Sequence, residues 1–344
     1  MIVKATHLPT SATTAHQSFD RNIWLFLALA FIPAWLIWFL SGVLPRAGAG
    51  AFDYRWLFAQ VGVYAPSLAA LVVSGLSSKK LRWNSFRVLP VLLLPLFVPG
   101  LLTSRSAPSG VAAISLLPAL ATVLVGAIVI LFLSPLNRRL LNPGTGEPQA
   151  RPAALWLFAS VAFLPVLFLV AWFLGNLQSG GWAVAGAQNG AAGLAWLVLV
   201  SFMHNLLLGG PLGEELGWRG FLLPQLLQRH DPLTASLLLA VAWALWHAPI
   251  DLYAGFLVEG PAAVLARFIW TIPVTILITW IYLRCKRVLL AALFLHVSIG
   301  MLSDFGFSAF PSSMMIYFLL LTIAAVAVSI ADPVFRGSDK TSVP

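Results

Sequence analysis

The chain has 344 residues, 60% of them hydrophobic and only 9% charged, with a mean hydropathy of +0.92. Soluble domains carry about 25% charged residues, so this composition excludes a water-soluble globule and makes the bilayer the solvent of the chain. The net charge of +9 does not imply a nucleic-acid partner, because the basic residues fall in short loops between apolar runs, the pattern of membrane topology.

Residues 1–22 are polar and mixed, and read as an N-terminal cytoplasmic tail. The first apolar run, Ile23 to Leu44, is too long for a signal-peptide core and is expected to be a retained first helix. Further spans are expected over 56–76, 88–103, 111–134, 154–175, 193–208, 232–250, 263–283, 288–305 and 313–331. The third is short and carries Pro90, Pro95 and Pro99, so a kinked or re-entrant segment is expected there. Lys79, Lys80, Arg82 and Arg87, then Arg138, Arg139 and Arg151, then Arg284, Lys286 and Arg287 mark three loops as cytoplasmic. Ten spans with both termini cytoplasmic satisfy that rule. Trp56, Trp156, Trp182 and Trp270 fit an interfacial belt, whereas Trp35 and Trp243 do not. The expectation is an all-α polytopic membrane protein of about ten transmembrane helices. It divides into N-terminal helices over 23–192, a core over 193–331 that holds the site, and a cytoplasmic tail over 332–344. The Ala-, Gly- and Arg-rich composition suits a bacterial plasma membrane. The single cysteine, Cys285, rules out an intrachain disulfide.

The densest charge lies in GGPLGEELGWRGFLLP, residues 209–224. One helix over 193–229 would be about 55 Å long, against a hydrocarbon core of about 30 Å. A break is expected at Gly209, Gly210 and Pro211, with a new helix from near Leu212 to about Gln228. On it Glu215 and Arg219 are spaced i and i+4 and can pair, while Glu214 projects about 100° away from Glu215. The alternative is a surface helix with an ordinary salt bridge. Leu212, Leu216, Trp218, Phe221, Leu222 and Leu223 leave such a helix little polar face. Ionisable residues at membrane depth face a cavity or a partner.

His247 and His296 each lie inside a later apolar run. A lone buried histidine is usually a satisfied core residue. Two of them on separate spans after a Glu-Glu helix point to a shared polar site. A carboxylate and two imidazoles can hold a water, directly or through a metal, and deprotonate it for attack on a carbonyl. Asp251, four residues after His247, is placed to orient it. His204 and Asn205 are expected to satisfy each other or the broken backbone, and Arg267 to snorkel to the interface. Asp304 reads as the end of its span.

EELGWRG, then WALWH, then an apolar segment ending FLH resembles the CPBP family of intramembrane proteases, which groups CAAX prenyl endopeptidases with bacteriocin-processing or immunity (Abi) proteins. Glu214, Glu215 and Arg219 match its Glu-Glu-x-x-x-Arg motif. Trp243 and His247 match the aromatic residue and histidine of its second motif. His296 opens the third, His-x-x-x-Asn or Asp. The resemblance covers roughly 195–305. It implies Glu214 as the general base, His247 as its partner on the water, His296 on the substrate carbonyl or oxyanion, and Glu215 with Arg219 as the brace. It leaves two cofactor readings, a divalent metal such as zinc on Glu214, His247 and His296, or no metal. His-Glu-x-x-His is absent.

Gly300 departs from the pattern, standing where the family has Asn or Asp. On this reading restoring Asn at 300 should raise activity. The partners implied are membrane lipid and a peptide or membrane-anchored protein substrate. The function expected is an intramembrane endopeptidase that hydrolyses a peptide bond with a glutamate-activated water. The alternatives are a non-catalytic relative acting as immunity or scaffold protein, which Gly300 favours, and a proton-coupled transporter, against which the absence of an internal repeat counts.

Overall fold

Prolines punctuate this chain at helix starts. Pro211, Pro232, Pro261, Pro311 and Pro333 each open a helix, where a residue without an N–H forfeits no intrahelical bond and its φ is already helical. The computed structural model describes residues 11–43, 54–77, 120–126, 128, 154–177, 190–254, 260–305 and 311–336. Its named elements are α1 (Ser11–Val43), α2 (Tyr54–Val63), α3 (Ala65–Ser77), α4 (Ala154–Asn176), α5 (Gly190–Leu208), α6 (Pro211–Gly217), a π-helical turn (Trp218–Leu222), α7 (Leu223–Leu226), α8 (Pro232–Ala254), α9 (Pro261–Arg284), α10 (Leu289–Asp304), α11 (Pro311–Ala331) and α12 (Pro333–Arg336). Every one is helical, as a bilayer demands of open-ended elements.

Asp20–Val43, Leu155–Asn176, Gly190–Leu208, Pro232–Leu252, Pro261–Arg284 and Ser312–Ala331 are long and apolar enough to cross a membrane, and Gln60–Leu76 and Leu289–Leu302 are shorter apolar helices. The chain is a multi-pass membrane protein. The expected spans at 88–103 and, apart from 120–126 and 128, at 111–134 lie outside the described residues. Large apolar side chains such as Trp24, Leu155, Phe158, Leu319 and Ile330 point outward, as they do where lipid is the solvent.

The expected span 56–76 is broken at Tyr64. Pro66 has no N–H to donate to the carbonyl four residues back, at Gly62, so the helical ladder is interrupted there. α2 therefore ends at Val63 and α3 starts afresh. The break is functional for packing. Gly213 and Gly217, one turn apart on α6, lie directly on it: a Cβ at Gly213 would fall 2.7 Å from Val63 O, and one at Gly217 2.6 Å from Pro66 O. Two small residues spaced by four let backbones approach this closely in a membrane. Tyr64 Oη donates to Leu207 O at 3.0 Å and Ser67 Oγ to Leu212 O at 3.2 Å, tying the same break to both sides of the Gly209-Gly210 turn.

Around this centre α8 packs along α9, α10 and α11 pack against α4, and α1 lies against α3 and α8. Trp35 Nε1 donates to Trp246 O at 3.1 Å and Trp246 Nε1 to Ala30 O at 3.0 Å, so α1 and α8 are stitched by reciprocal indole bonds. At the far end Asp332 accepts from Trp280 Nε1 at 2.8 Å and from Arg284 Nη2 at 2.5 Å.

α8, which carries Trp243 and His247, is capped by Asp231. Its Oδ1 accepts from Leu233 N and Thr234 N, each at 3.0 Å, and its Oδ2 from Thr234 Oγ1 at 2.6 Å. The Thr234 hydroxyl and amide hold the Asp231 carboxyl below the ordinary carboxylate range. Asp231→Ala should cost about 1 kcal/mol of stability. Because the folded carboxyl is depressed, that contribution is complete at neutral pH and fades as acidification protonates the folded form. Melting wild type and variant in detergent at neutral and acidic pH tests this, and the two curves should converge in acid.

Candidate active site

The Gly209-Gly210 turn releases the chain from α5 into α6. Gly210 has φ +112°, a backbone conformation that a side chain would strain. It also lies against the first carboxylate: a Cβ there would come 2.5 Å from Glu214 Oε1. The helix restarts at Pro211, one residue before the expected start near Leu212, and runs to Leu226 through a π-turn that the sequence pattern did not foretell. π-turns insert one extra residue into an α-helix and recur at functional sites. Arg219 sits in this one.

The expected pair forms. Arg219 Nη1 donates to Glu215 Oε1 at 2.7 Å with both side chains fully buried. The same oxygen faces His296 Nδ1 at 2.7 Å. A carboxylate oxygen accepts, so Nδ1 carries the hydrogen and Nε2 is the ring nitrogen left for chemistry. Arg219 Nε and Nη2 and Glu215 Oε2 are buried without a hydrogen-bond partner among the described residues. Arg219 is further held over the Trp243 ring, with Cζ 4.6 Å from its centroid.

Trp243 proves to be the hub. Its Nε1 donates to Glu214 Oε2 at 2.5 Å, leaving Oε1 as the oxygen not taken by the indole. Its backbone carbonyl faces His247 Nδ1 at 2.9 Å. A carbonyl only accepts, so His247 is held as the Nδ1–H tautomer with a lone pair on Nε2. Its ring meets His296 edge to face at 5.1 Å and His247 at 5.8 Å. The rings of Trp38 and Trp246 also pack on His247, which stays partly exposed. Glu214, Arg219, His247 and His296 thus each contact Trp243, and Glu215 joins them through Arg219 and His296. The sequence reading used Trp243 only as a motif match and as a misfit to the interfacial belt. Its spacing of four from His247 on one helix face was the signal available for a shared site.

Three expectations are corrected. Asp251 does not orient His247: its two oxygens accept from Arg267 Nη2 at 2.6 Å and Nε at 2.8 Å. Arg267 accordingly does not snorkel alone but crosses from α9 to α8 as half of a bidentate pair. Asn205 does not turn to His204. Its Nδ2 donates to Asp304 Oδ2 at 2.6 Å and to Ser201 O at 2.9 Å. Asp304 does end α10, yet its carboxylate also accepts from Ser201 Oγ at 2.8 Å. Position 300, where Asn is expected to raise activity, is crowded by a side chain from α5. A Cβ at Gly300 would collide with Asn205 Oδ1 and lie 2.7 Å from its Cγ.

Glu214, His247 and His296 do not present a ready metal-ligand set. Among the described residues no group of three or more His, Cys, Asp and Glu side chains gathers so as to hold a metal ion.

Residues 193–302 match the family model described as Type II CAAX prenyl endopeptidase Rce1-like. A curated protein, CAAX prenyl protease 2 of Methanococcus maripaludis, is 25% identical over 225 residues, which cover 60% of this chain and 77% of that protein. Both matches support the CPBP resemblance that the motifs carry, and the matched segment contains all five expected site residues and Trp243.

A buried ion pair that loses one partner leaves an uncompensated charge, which costs about 3–5 kcal/mol. Arg219→Leu should therefore destabilise the protein by roughly that amount. Denaturant unfolding in detergent measures it, and a loss within the range of an exposed pair, below about 1 kcal/mol, would contradict the burial described.

Proposed function

With residues 193–302 matching the CAAX prenyl endopeptidase model, we propose that this chain is an intramembrane endopeptidase that hydrolyses a peptide bond of a membrane-associated peptide or membrane-anchored protein. The observation that carries the reading is the gathering of Glu214, His247, His296 and Arg219 around Trp243 in a helix bundle.

The chemistry follows from which atoms are left over. Glu214 Oε1 is the general base. His247 Nε2 offers an acceptor for the other hydrogen of the same water. The base takes one proton, the water oxygen attacks the carbonyl carbon, and the carbonyl oxygen becomes an oxyanion. An imidazolium at His296 presents Nε2–H to that oxyanion, with Glu215 balancing its charge through Nδ1. The proton held by Glu214 then passes to the leaving nitrogen as the C–N bond breaks. Glu215 and Arg219 never meet substrate on this reading. They fix His296 and brace the helix that bears the base.

The non-catalytic alternative rested on Gly300. Against it stands the amide of Asn205, which fills the space beside that glycine. The positive-inside rule applied to the basic loops supports cytoplasmic termini on this reading. A prenylated substrate is one member of the class, named for the methanogen relative, and the assay below includes it.

The test is proteolysis in reconstituted membranes against a pool of membrane-associated peptides, some of them prenylated. Wild type should cleave, and Glu214→Ala and His247→Ala should each lose about 10³-fold or more. Trp243→Phe keeps the ring but removes the indole donor from Glu214, and should lose about 100-fold with the fold intact. A chelator should leave the wild-type rate unchanged; loss of activity that zinc restores would show that a metal is required. Cleavage undiminished in Glu214→Ala would overturn the assignment of the base.

A further inference from the structure

The face of α10 that carries His296 continues one turn later at Gly300. The volume a side chain would occupy there is filled from another helix. A Cβ at position 300 would collide with Asn205 Oδ1 and lie 2.7 Å from Cγ and 3.3 Å from Cβ of the same residue. Asn205 is fully buried on α5. Its amide also lies against Gly209, where a Cβ would come 2.8 Å from Oδ1. The next residue, Gly210, is the one on which Glu214 Oε1 closes. One amide is therefore wedged between the turn that presents Glu214 and the helix that presents His296.

The orientation of that amide is fixed. Nδ2 faces Asp304 Oδ2 and Ser201 O, both acceptors, so turning the group over would set oxygen against oxygen. Oδ1 is thereby directed at the two glycines, and it has no hydrogen-bond partner among the described residues. A hydrocarbon of the same size would fill the gap but take the Nδ2 donor from Asp304 Oδ2, so the acid holds the amide on one side and sets its oxygen against the two glycines on the other.

We infer that Asn205 is a positioning residue for hydrolysis: wedged between Gly209 and Gly300 and anchored by Asp304, it sets the Glu214 turn against the His296 helix. It thereby supplies from α5 the polar side chain that position 300 lacks. This inference rests on the endopeptidase reading and adds to it a residue outside every motif. Gly300 is then a steric requirement of Asn205.

The experiment is an exchange of the two residues across the helix interface, read in two ways on the full-length protein in reconstituted membranes. Melting needs no substrate. Gly300→Asn alone should lower Tm, and Asn205→Gly/Gly300→Asn should recover part of the loss, since the two side chains compete for one volume. In the cleavage assay each single substitution should lower kcat by about 100-fold. KM should stay within about threefold, the signature of lost transition-state geometry and not of lost binding. The exchanged pair should return kcat to within about tenfold of wild type. If the exchange restores Tm but not kcat, or if activity falls only with the folded fraction, Asn205 is a structural cross-link and the inference is wrong. If wild type and Glu214→Ala are equally inactive, the endopeptidase reading fails first and carries this one with it.

Discussion

The bond from the Trp243 indole to the Glu214 carboxylate is the contact on which the rest of the site depends. A carboxylate taken out of water must be hydrogen-bonded or paired, and here a neutral N–H on a neighbouring helix is the donor. A neutral donor stabilises the carboxylate without neutralising it as a cation would, which leaves the group able to take a proton. The cationic partner goes to the adjacent carboxylate instead. Arg219 pairs with Glu215 and lies over the face of the same indole. Two consecutive glutamates thus have different neighbours and different uses, because successive residues on a helix point about 100° apart.

That arrangement requires backbones to come unusually close. α6 reaches the centre of the bundle only because Gly213 and Gly217 present no side chain to the break between α2 and α3, and because Pro66 makes that break. The Gly209-Gly210 turn then leads the chain from α5 into α6 within two residues, one of them in a conformation that a side chain would strain. In lipid such departures from a straight span are tolerated where the freed backbone groups find partners. Leu207 O and Leu212 O, on either side of the turn, are taken by Tyr64 and Ser67.

Polar residues elsewhere in the bundle follow the same economy. Asp251 and Arg267 satisfy each other across α8 and α9, and Asp304 gathers Ser201 and Asn205 across α10 and α5. Asp251, one helical turn after His247 in sequence, invited a role in orienting that histidine, and Asp304 read as the end of its span. Both carboxylates bridge to another helix, because such a charge takes the nearest strong donor in space, whatever its distance along the chain.

The sequence alone determined the solvent, the helical class and the identities of the charged residues at the centre. These are local properties: apolar runs of spanning length, glycine and proline at breaks, and an i, i+4 spacing that makes Glu215 and Arg219 neighbours on any helix. The break after Leu208 and the restart at Pro211 were legible for the same reason. Tertiary structure decided what lies across from what. Nothing in the spacing of Trp243 shows that its indole reaches back 29 residues to Glu214, or that Asn205 occupies the place of a side chain 95 positions later, since 300 less 205 is 95. Such pairings arise when separate helices compete for one interior volume. Only their packing, set by close backbone approach and the pairing of buried polar groups, fixes which side chain fills it.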